Sequence, residues 1–242
     1  MTEIAQNIFE INQRIERACK NAGRNPDEVK LLLATKTVTP ERIKMALETG
    51  QMLIAENKVQ ELKSKYEDLK DVPHTNHFIG HLQTNKINDI LKCDVVCLQS
   101  LDRIELAQKL HNRLSTENKT LDILIQVNTS NEESKFGVSP DGVFEFLQQV
   151  AELKSIKIKG LMTIGLFSAD IPKVRNCFKL LKNLQMQIKD MNVSGVEMKE
   201  LSMGMSHDFE VAIEEGATIV RVGTAVFGAR KYPDSYYWNE NK

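Results

Sequence analysis

Eight times along this chain a short apolar run closes on a polar residue, and after each of the first seven a stretch of helical spacing follows. That alternation predicts parallel strands joined by crossover helices, and eight such strands are the number that closes a barrel inside a ring of helices. The runs occupy residues 31–34, 52–55, 77–80, 95–98, 121–127, 156–162, 197–201 and 217–222. The first, Leu31, Leu32, Leu33 and Ala34, has no polar alternation, as expected of a strand covered on both faces. The helix after it is expected to begin at Thr39-Pro40-Glu41, where proline suits a first helical turn, and later ones near residues 58, 84, 101, 140, 171 and 206. Ahead of the first run, Ile4, Ile8, Ile11, Ile15 and Ala18 repeat at helical spacing over residues 2–22 with Gly23 as the stop, so an extra N-terminal helix is predicted. An open doubly wound sheet is the alternative arrangement of the same units. No Pro- or Ser-rich linker, charge block or low-complexity stretch divides the chain, and one domain over residues 1–242 is expected. The tail 232–242, which carries the single tryptophan, is expected to pack outside it or fray.

Composition narrows the class of partner. Thirty-two basic residues against 33 acidic ones leave a net charge of -1, which offers no electrostatic reason to expect nucleic acid or an anionic membrane. A small molecule is the expected partner. No stretch approaches the roughly 20 apolar residues of a bilayer span, and charges and amides occupy the N-terminus where a signal peptide has its apolar segment. A soluble, cytoplasmic protein is predicted. Cys93 and Cys97, if they share one extended strand, stand too far apart to bind one zinc ion, and with Cys19 and Cys177 they are expected to be reduced core residues.

Lys36 follows the first run and is predicted at the carboxyl end of its strand, the face on which such folds do chemistry and where an amine is partly desolvated. A lysine that snorkels from a strand end into water is the plain alternative. Closure of a barrel would bring Asn57, His81, Gln99, Asn128, Met162, Ser202 and Gly223 to the same face. Two stretches sharpen the expectation. Leu201-Ser-Met-Gly-Met-Ser-His-Asp208 offers a glycine for close backbone approach and Ser206 or Asp208 as a helix cap, while Arg221-Val-Gly-Thr224 adds the amide of Gly223 and the hydroxyl of Thr224. Loops after the seventh and eighth strands of such barrels often make a phosphate site. An amine facing a phosphate cradle is the arrangement that holds a phosphorylated aldehyde as a Schiff base. Pyridoxal phosphate fits it, and so do the phosphorylated sugars of an aldolase; the residue chemistry leaves both open.

A longer pattern discriminates. Ala34-Thr-Lys-Thr37, Glu56-Asn57-Lys-Val-Gln-Glu61, His77-Phe-Ile-Gly-His-Leu-Gln-Thr-Asn-Lys86, Gln126-Val-Asn128 with Glu133-Ser-Lys-Phe-Gly137, Gly160-Leu-Met162, and the two stretches above resemble, in this order, the pyridoxal phosphate homeostasis protein family. That family is similar to the N-terminal barrel of alanine racemase. The resemblance implies a single-domain (β/α)8 TIM barrel of PLP fold type III. It further implies that pyridoxal 5'-phosphate (PLP) is held as an internal aldimine on Lys36, with Ser202, Ser206, Gly223 and Thr224 on its phosphate. Arg221 is implied at the pyridine nitrogen and Asn57 beside the cofactor. An arginine there is a permanent donor, which leaves the ring nitrogen unprotonated and the ring a weak electron sink. His81 and Lys135 also match family positions: His81 reads equally as a loop histidine bonded to backbone, and Lys135 as a solvated charge or a second lysine able to pass the cofactor on. Met162 and Met203 are expected to be cavity wall.

The implied function is intracellular PLP (vitamin B6) homeostasis, in which the protein stores, buffers or delivers the cofactor, with PLP-dependent apoenzymes as candidate recipients, and does not turn over a substrate. An amino-acid racemase is the main alternative. Racemisation by the related enzyme pairs the lysine with a tyrosine from an added β domain of a partner subunit. That domain is expected to be absent here, because the chain ends soon after the eighth run, and the second base goes with it. A monomer is expected for the same reason. A barrel aldolase would predict carboxylates at the strand mouths, for which Glu56 and Asp208 are the candidates.

Overall fold

Leu32 and Leu33 are adjacent and both fully buried, yet they belong to different cores: Leu32 packs with Ala55, Leu124 and Met162, and Leu33 joins the larger cluster shared with the helices. Burial on both faces of one strand accounts for its uninterrupted leucines. In the computed structural model, which describes residues 2–229, eight parallel strands close into a barrel in sequence order. They are β1 (Lys30–Ala34), β2 (Leu53–Glu56), β3 (Thr75–Phe78), β4 (Val95–Leu101), β5 (Leu121–Gln126), β6 (Ile156–Met162), β7 (Val196–Ser202) and β8 (Ile219–Val222). β8 pairs back onto β1 with Arg221 beside Leu32 and Val222 beside Leu33. The fold is therefore the (β/α)8 barrel, and the open sheet is set aside. The tail 232–242 lies outside the described residues.

Helices α2 (Pro40–Leu47), α3 (Val59–Leu69), α4 (Ile87–Lys92), α5 (Ile104–Ser115), α6 (Val143–Ala151), α7 (Ile171–Asp190) and α8 (Phe209–Glu214) follow the first seven strands; a short α9 (Thr224–Phe227) follows the eighth. The predicted extra helix is α1 (Glu3–Asn21), capped by Thr2, whose hydroxyl accepts from the Ala5 amide. α1 packs on α8, α9 and α2, burying Ile4, Ile8, Ile11 and Ile15. Each buried isoleucine contributes about 2 kcal/mol, against at most about 1 kcal/mol for the half-exposed Arg14–Glu210 pair, so packing and not charge holds α1 in place. Arg24 adds direction, donating to the carbonyls of Ile213 (2.7 Å) and Ala217 (2.9 Å).

Some boundaries differ from the sequence pattern. β4 does not close at residue 98 but runs on through Gln99 and Ser100 to Leu101, because both polar groups find partners inside the protein: the Gln99 Oε1 accepts from Ser202, and the Ser100 hydroxyl donates to the Gly80 carbonyl. The helix expected from residue 84 opens as a 3-10 turn, Thr84–Lys86, and α6 and α8 begin only at Val143 and Phe209. Cys19, Cys93, Cys97 and Cys177 are buried and unbridged. Among the described residues no helix is long and apolar enough to cross a membrane, and no cluster of His, Cys, Asp and Glu is placed to hold a metal ion.

Candidate functional site

The carboxyl ends of the strands surround a cavity of about 130 Å³. Of the residues singled out in the sequence, Lys36, Asn57, Ser206, Arg221, Gly223 and Thr224 all line it, together with His81 and Met162. They come from the ends of β1, β2, β3, β6, β7 and β8, and closure between β8 and β1 joins the two ends of that series.

Ser202 is placed differently. It is fully buried at the end of β7, outside the cavity wall, and its hydroxyl accepts from Arg221 Nη1 (2.8 Å) and donates to Gln99 Oε1 (2.6 Å). Its position makes it a support for Arg221, where the sequence suggested a phosphate ligand. The direction of this chain of bonds follows from the guanidinium, which can only donate. Ser202 must therefore pass its own proton to Gln99 Oε1, and the Gln99 amide nitrogen then donates to His77 Nδ1 (2.7 Å). The second arm of Arg221 donates to the Thr163 carbonyl (2.8 Å). Burial pushes the Arg221 pKa down to about 10, with the charge of Asp208 opposing the fall, so the residue stays cationic at neutral pH. His77 is pushed down to about 4, by burial first and the Lys30 charge second, and is neutral as the chain of bonds requires.

Hydroxyls and backbone gather just beyond, in the loops that follow β7 and β8. Gly204 has φ +88°, and a Cβ there would lie 2.5 Å from the Ala212 Cβ and 2.9 Å from the Phe209 Cα, so only glycine lets the turn after β7 press on α8. The Gly204 carbonyl accepts from the Arg221 amide (3.0 Å), and Asp208 Oδ1 accepts from the Met205 amide (2.6 Å). The turn so fixed presents Ser206, whose Oγ accepts from Thr224 Oγ1 (3.2 Å) and lies 3.5 Å from the Ala225 amide at the start of α9. After β2, and also in the cavity wall, Asn57 Oδ1 is buried without a hydrogen-bond partner. A buried acceptor left bare is costly, and in a cavity wall it marks a position for a ligand donor.

Other expectations are sorted by the same geometry. His81 lines the cavity, stacks on Phe136 (4.0 Å between ring centres) and faces the Asp102 carboxylate at 3.6 Å. Lys135 lies outside the wall, bonded to the Gly165 carbonyl (2.8 Å) and paired with Glu132. Met203 belongs to the outer core, and Met205 takes the wall position beside Met162. Glu56 and Asp208, the aldolase candidates, are absent from the described wall: Glu56 accepts from Thr35 and Lys65, and burial pushes both carboxyls up. The sequence reading missed Gly80, Gln126, Phe136 and Ile164. For Gly80 a signal existed, since a glycine closing an apolar run suggests close backbone approach; a Cβ there would fall 1.8 Å from the Asn57 carbonyl oxygen.

Residues 11–231 match the family model of the alanine racemase N-terminal domain. The chain is 45% identical to the pyridoxal phosphate homeostasis protein of Aquifex aeolicus, over 94% of this chain and 98% of that one. Among solved structures, PipY of Synechococcus elongatus with PLP bound is 29% identical, with a TM-score of 0.78 over 89% of this chain and all of the other. Alanine racemase of Clostridium difficile shares the fold at 13% identity and a TM-score of 0.71, the match covering 96% of this chain and 58% of the racemase.

Proposed function

Since the chain belongs to the pyridoxal phosphate homeostasis protein family, within the broader group that shares the alanine racemase N-terminal domain, we propose that it binds PLP through Lys36 and holds and releases that cofactor without substantial turnover. The observation that carries this reading is the meeting of the Lys36 amine with the Ser206–Thr224 hydroxyl pair in one cavity whose wall includes Arg221. The donor set fits the cofactor, and the bare Asn57 Oδ1 calls for a polar ligand at that wall. When bound, PLP supplies an aldehyde for attachment to an amine and a ring whose electron demand depends on its nitrogen.

Lys36 would hold the aldehyde carbon, while Ser206, Thr224 and the backbone at Gly223 would hold the phosphate. Arg221 would donate a hydrogen bond to the ring nitrogen without surrendering a proton, since its pKa of about 10 lies well above neutrality. That choice of partner favours holding over chemistry at the adjacent carbon. Ser202 contributes indirectly, by fixing the guanidinium. Relatives named for PLP homeostasis match over nearly their whole length, and this supports the same role here. In this reading the protein is a cytoplasmic monomer, and PLP-dependent apoenzymes are the recipients.

The test is the visible absorption spectrum with added PLP, followed by borohydride reduction and peptide mass mapping. A band lost on reduction with the adduct on Lys36 is expected. No band, or an adduct spread over surface lysines, would overturn the reading. No alanine racemisation is expected on the same sample, and turnover there would favour the racemase alternative.

A further inference from the structure

We propose that Glu61 is a positioning residue for Lys36, acting with Lys65 to clamp a strained turn from which the lysine projects. Lys36 is the second residue of a β-turn closed by the Val38 amide donating to the Thr35 carbonyl (3.0 Å), and Thr37 is the third, with φ +64°. A turn with φ positive at its third residue ordinarily takes glycine or asparagine there. Among the described residues four other non-glycines have positive φ, and all are Asn or Asp; Thr37 alone is β-branched. Such a residue persists in that conformation only where its surroundings over-determine it.

The surroundings do so from α3. Glu61 Oε2 accepts from the Thr37 amide (2.6 Å), and Lys65 Nζ, almost wholly buried, donates to the Thr35 carbonyl (3.0 Å) and to Glu61 Oε2 (2.9 Å). Glu56 Oε1 completes the set, accepting from Lys65 (2.7 Å) and from the Thr35 hydroxyl (2.7 Å). Both chain neighbours of Lys36 are thus tied to one charged cluster that does not line the cavity. Anchoring α3 to the barrel needs only Lys65 and Glu56. The bond from Thr37 to Glu61 has no such use, and it fixes the direction in which Lys36 leaves the turn.

The importance of the clamp rests on Lys36 being the cofactor-bearing amine, but its test needs no cofactor. The cofactor-free protein is acetylated with acetic anhydride over a range of pH, and labelling is followed at Lys36 and at the exposed Lys154 by mass spectrometry, with melting temperature recorded for each variant. In Glu61→Ala the Lys36 labelling profile is expected to change, its rate by about tenfold, while that of Lys154 does not, as loss of a charge-assisted bond predicts. Glu61→Gln, whose amide oxygen still accepts from Thr37, is expected to keep the wild-type profile. Asparagine tolerates this φ unaided, so adding Thr37→Asn to Glu61→Ala is expected to restore it, and Thr37→Asn alone to leave melting unchanged or raised. A folded Glu61→Ala protein that labels as wild type, failure of Thr37→Asn to restore the profile, or a lowered melting temperature for Thr37→Asn alone would each overturn the clamp. Absence of a PLP adduct on wild-type Lys36 would sink the proposed function and leave the labelling result standing.

Discussion

Acid should weaken this protein through one side chain, His77, by an amount the structure lets one work out. Its imidazole is half-buried in the barrel with Nδ1 accepting from Gln99, and desolvation first, the Lys30 charge second, push its pKa down to about 4 against an ordinary value of 6.5. Folded protein therefore keeps His77 neutral through a window in which the unfolded chain takes up a proton. Between pH 6.5 and 4 the unfolded state binds more protons, so stability falls as pH falls. The loss attributable to His77 is about 2 kcal/mol by pH 5 and about 3 kcal/mol by pH 4. Protonation would also place an N–H against the Gln99 amide nitrogen and break the chain that steadies Ser202 and Arg221. The assay is urea unfolding at several pH values between 7 and 4, on wild type and His77→Gln, whose amide oxygen keeps the acceptor without titrating here. Other groups titrate in the same range, and subtracting one curve from the other removes them. The difference should be small at pH 7 and change by about 3 kcal/mol toward pH 4. Parallel curves would refute both the neutral assignment of His77 and the hydrogen-bond direction derived from Arg221.

Glu56→Gln tests the opposite sign. Burial raises the Glu56 carboxyl above its ordinary 4.5, so its contribution is present at low pH and lost as pH rises through the folded value; the variant should lose less stability than wild type between pH 4.5 and 7, and identical urea midpoints across that range would contradict the shift. Gly80→Ala sets a Cβ 1.8 Å from the Asn57 carbonyl oxygen and 2.5 Å from its carbon, both backbone atoms that cannot rotate away. A destabilisation on the order of 3 kcal/mol is expected by thermal unfolding, with weaker uptake of PLP, and an unaltered melting temperature would show that the two loops are not packed as described.

What could be read in advance followed from local pattern. Isoleucine spacing located α1, and the run of residues 156–162 coincides with β6, because each reflects burial that neighbouring residues share. The glycines and hydroxyls after β7 and β8 were legible for a similar reason, since backbone approach and helix starts are properties of short stretches. The failures come from polar residues satisfied at long range. Gln99 looked like the end of a strand, yet it continues β4 because Ser202, from another strand, donates to its amide oxygen and His77 accepts from its amide nitrogen. Ser202, expected among the phosphate contacts, lies off the described cavity wall with its hydroxyl on Arg221, a pairing no local pattern shows. Lys65 carried no signal in the sequence, although it is the one lysine among the described residues that is buried. Pairings of this kind leave no periodic trace in a sequence.

The seam between β1 and β8 also bears on synthesis. Lys36 leaves the ribosome early, whereas Ser206, Arg221 and Thr224 emerge among the last described residues, and β1 lacks its second neighbour until β8 arrives. Contacts of such long sequence separation form late, after most of the chain has collapsed. A chain broken before β8 consequently carries Lys36 without the cavity that surrounds it in the folded protein, and there it would stand like any other lysine. Under the proposed function, ligand capture would wait for β8 to arrive, and a chain broken before β8 would lack the wall that Ser206, Arg221 and Thr224 complete.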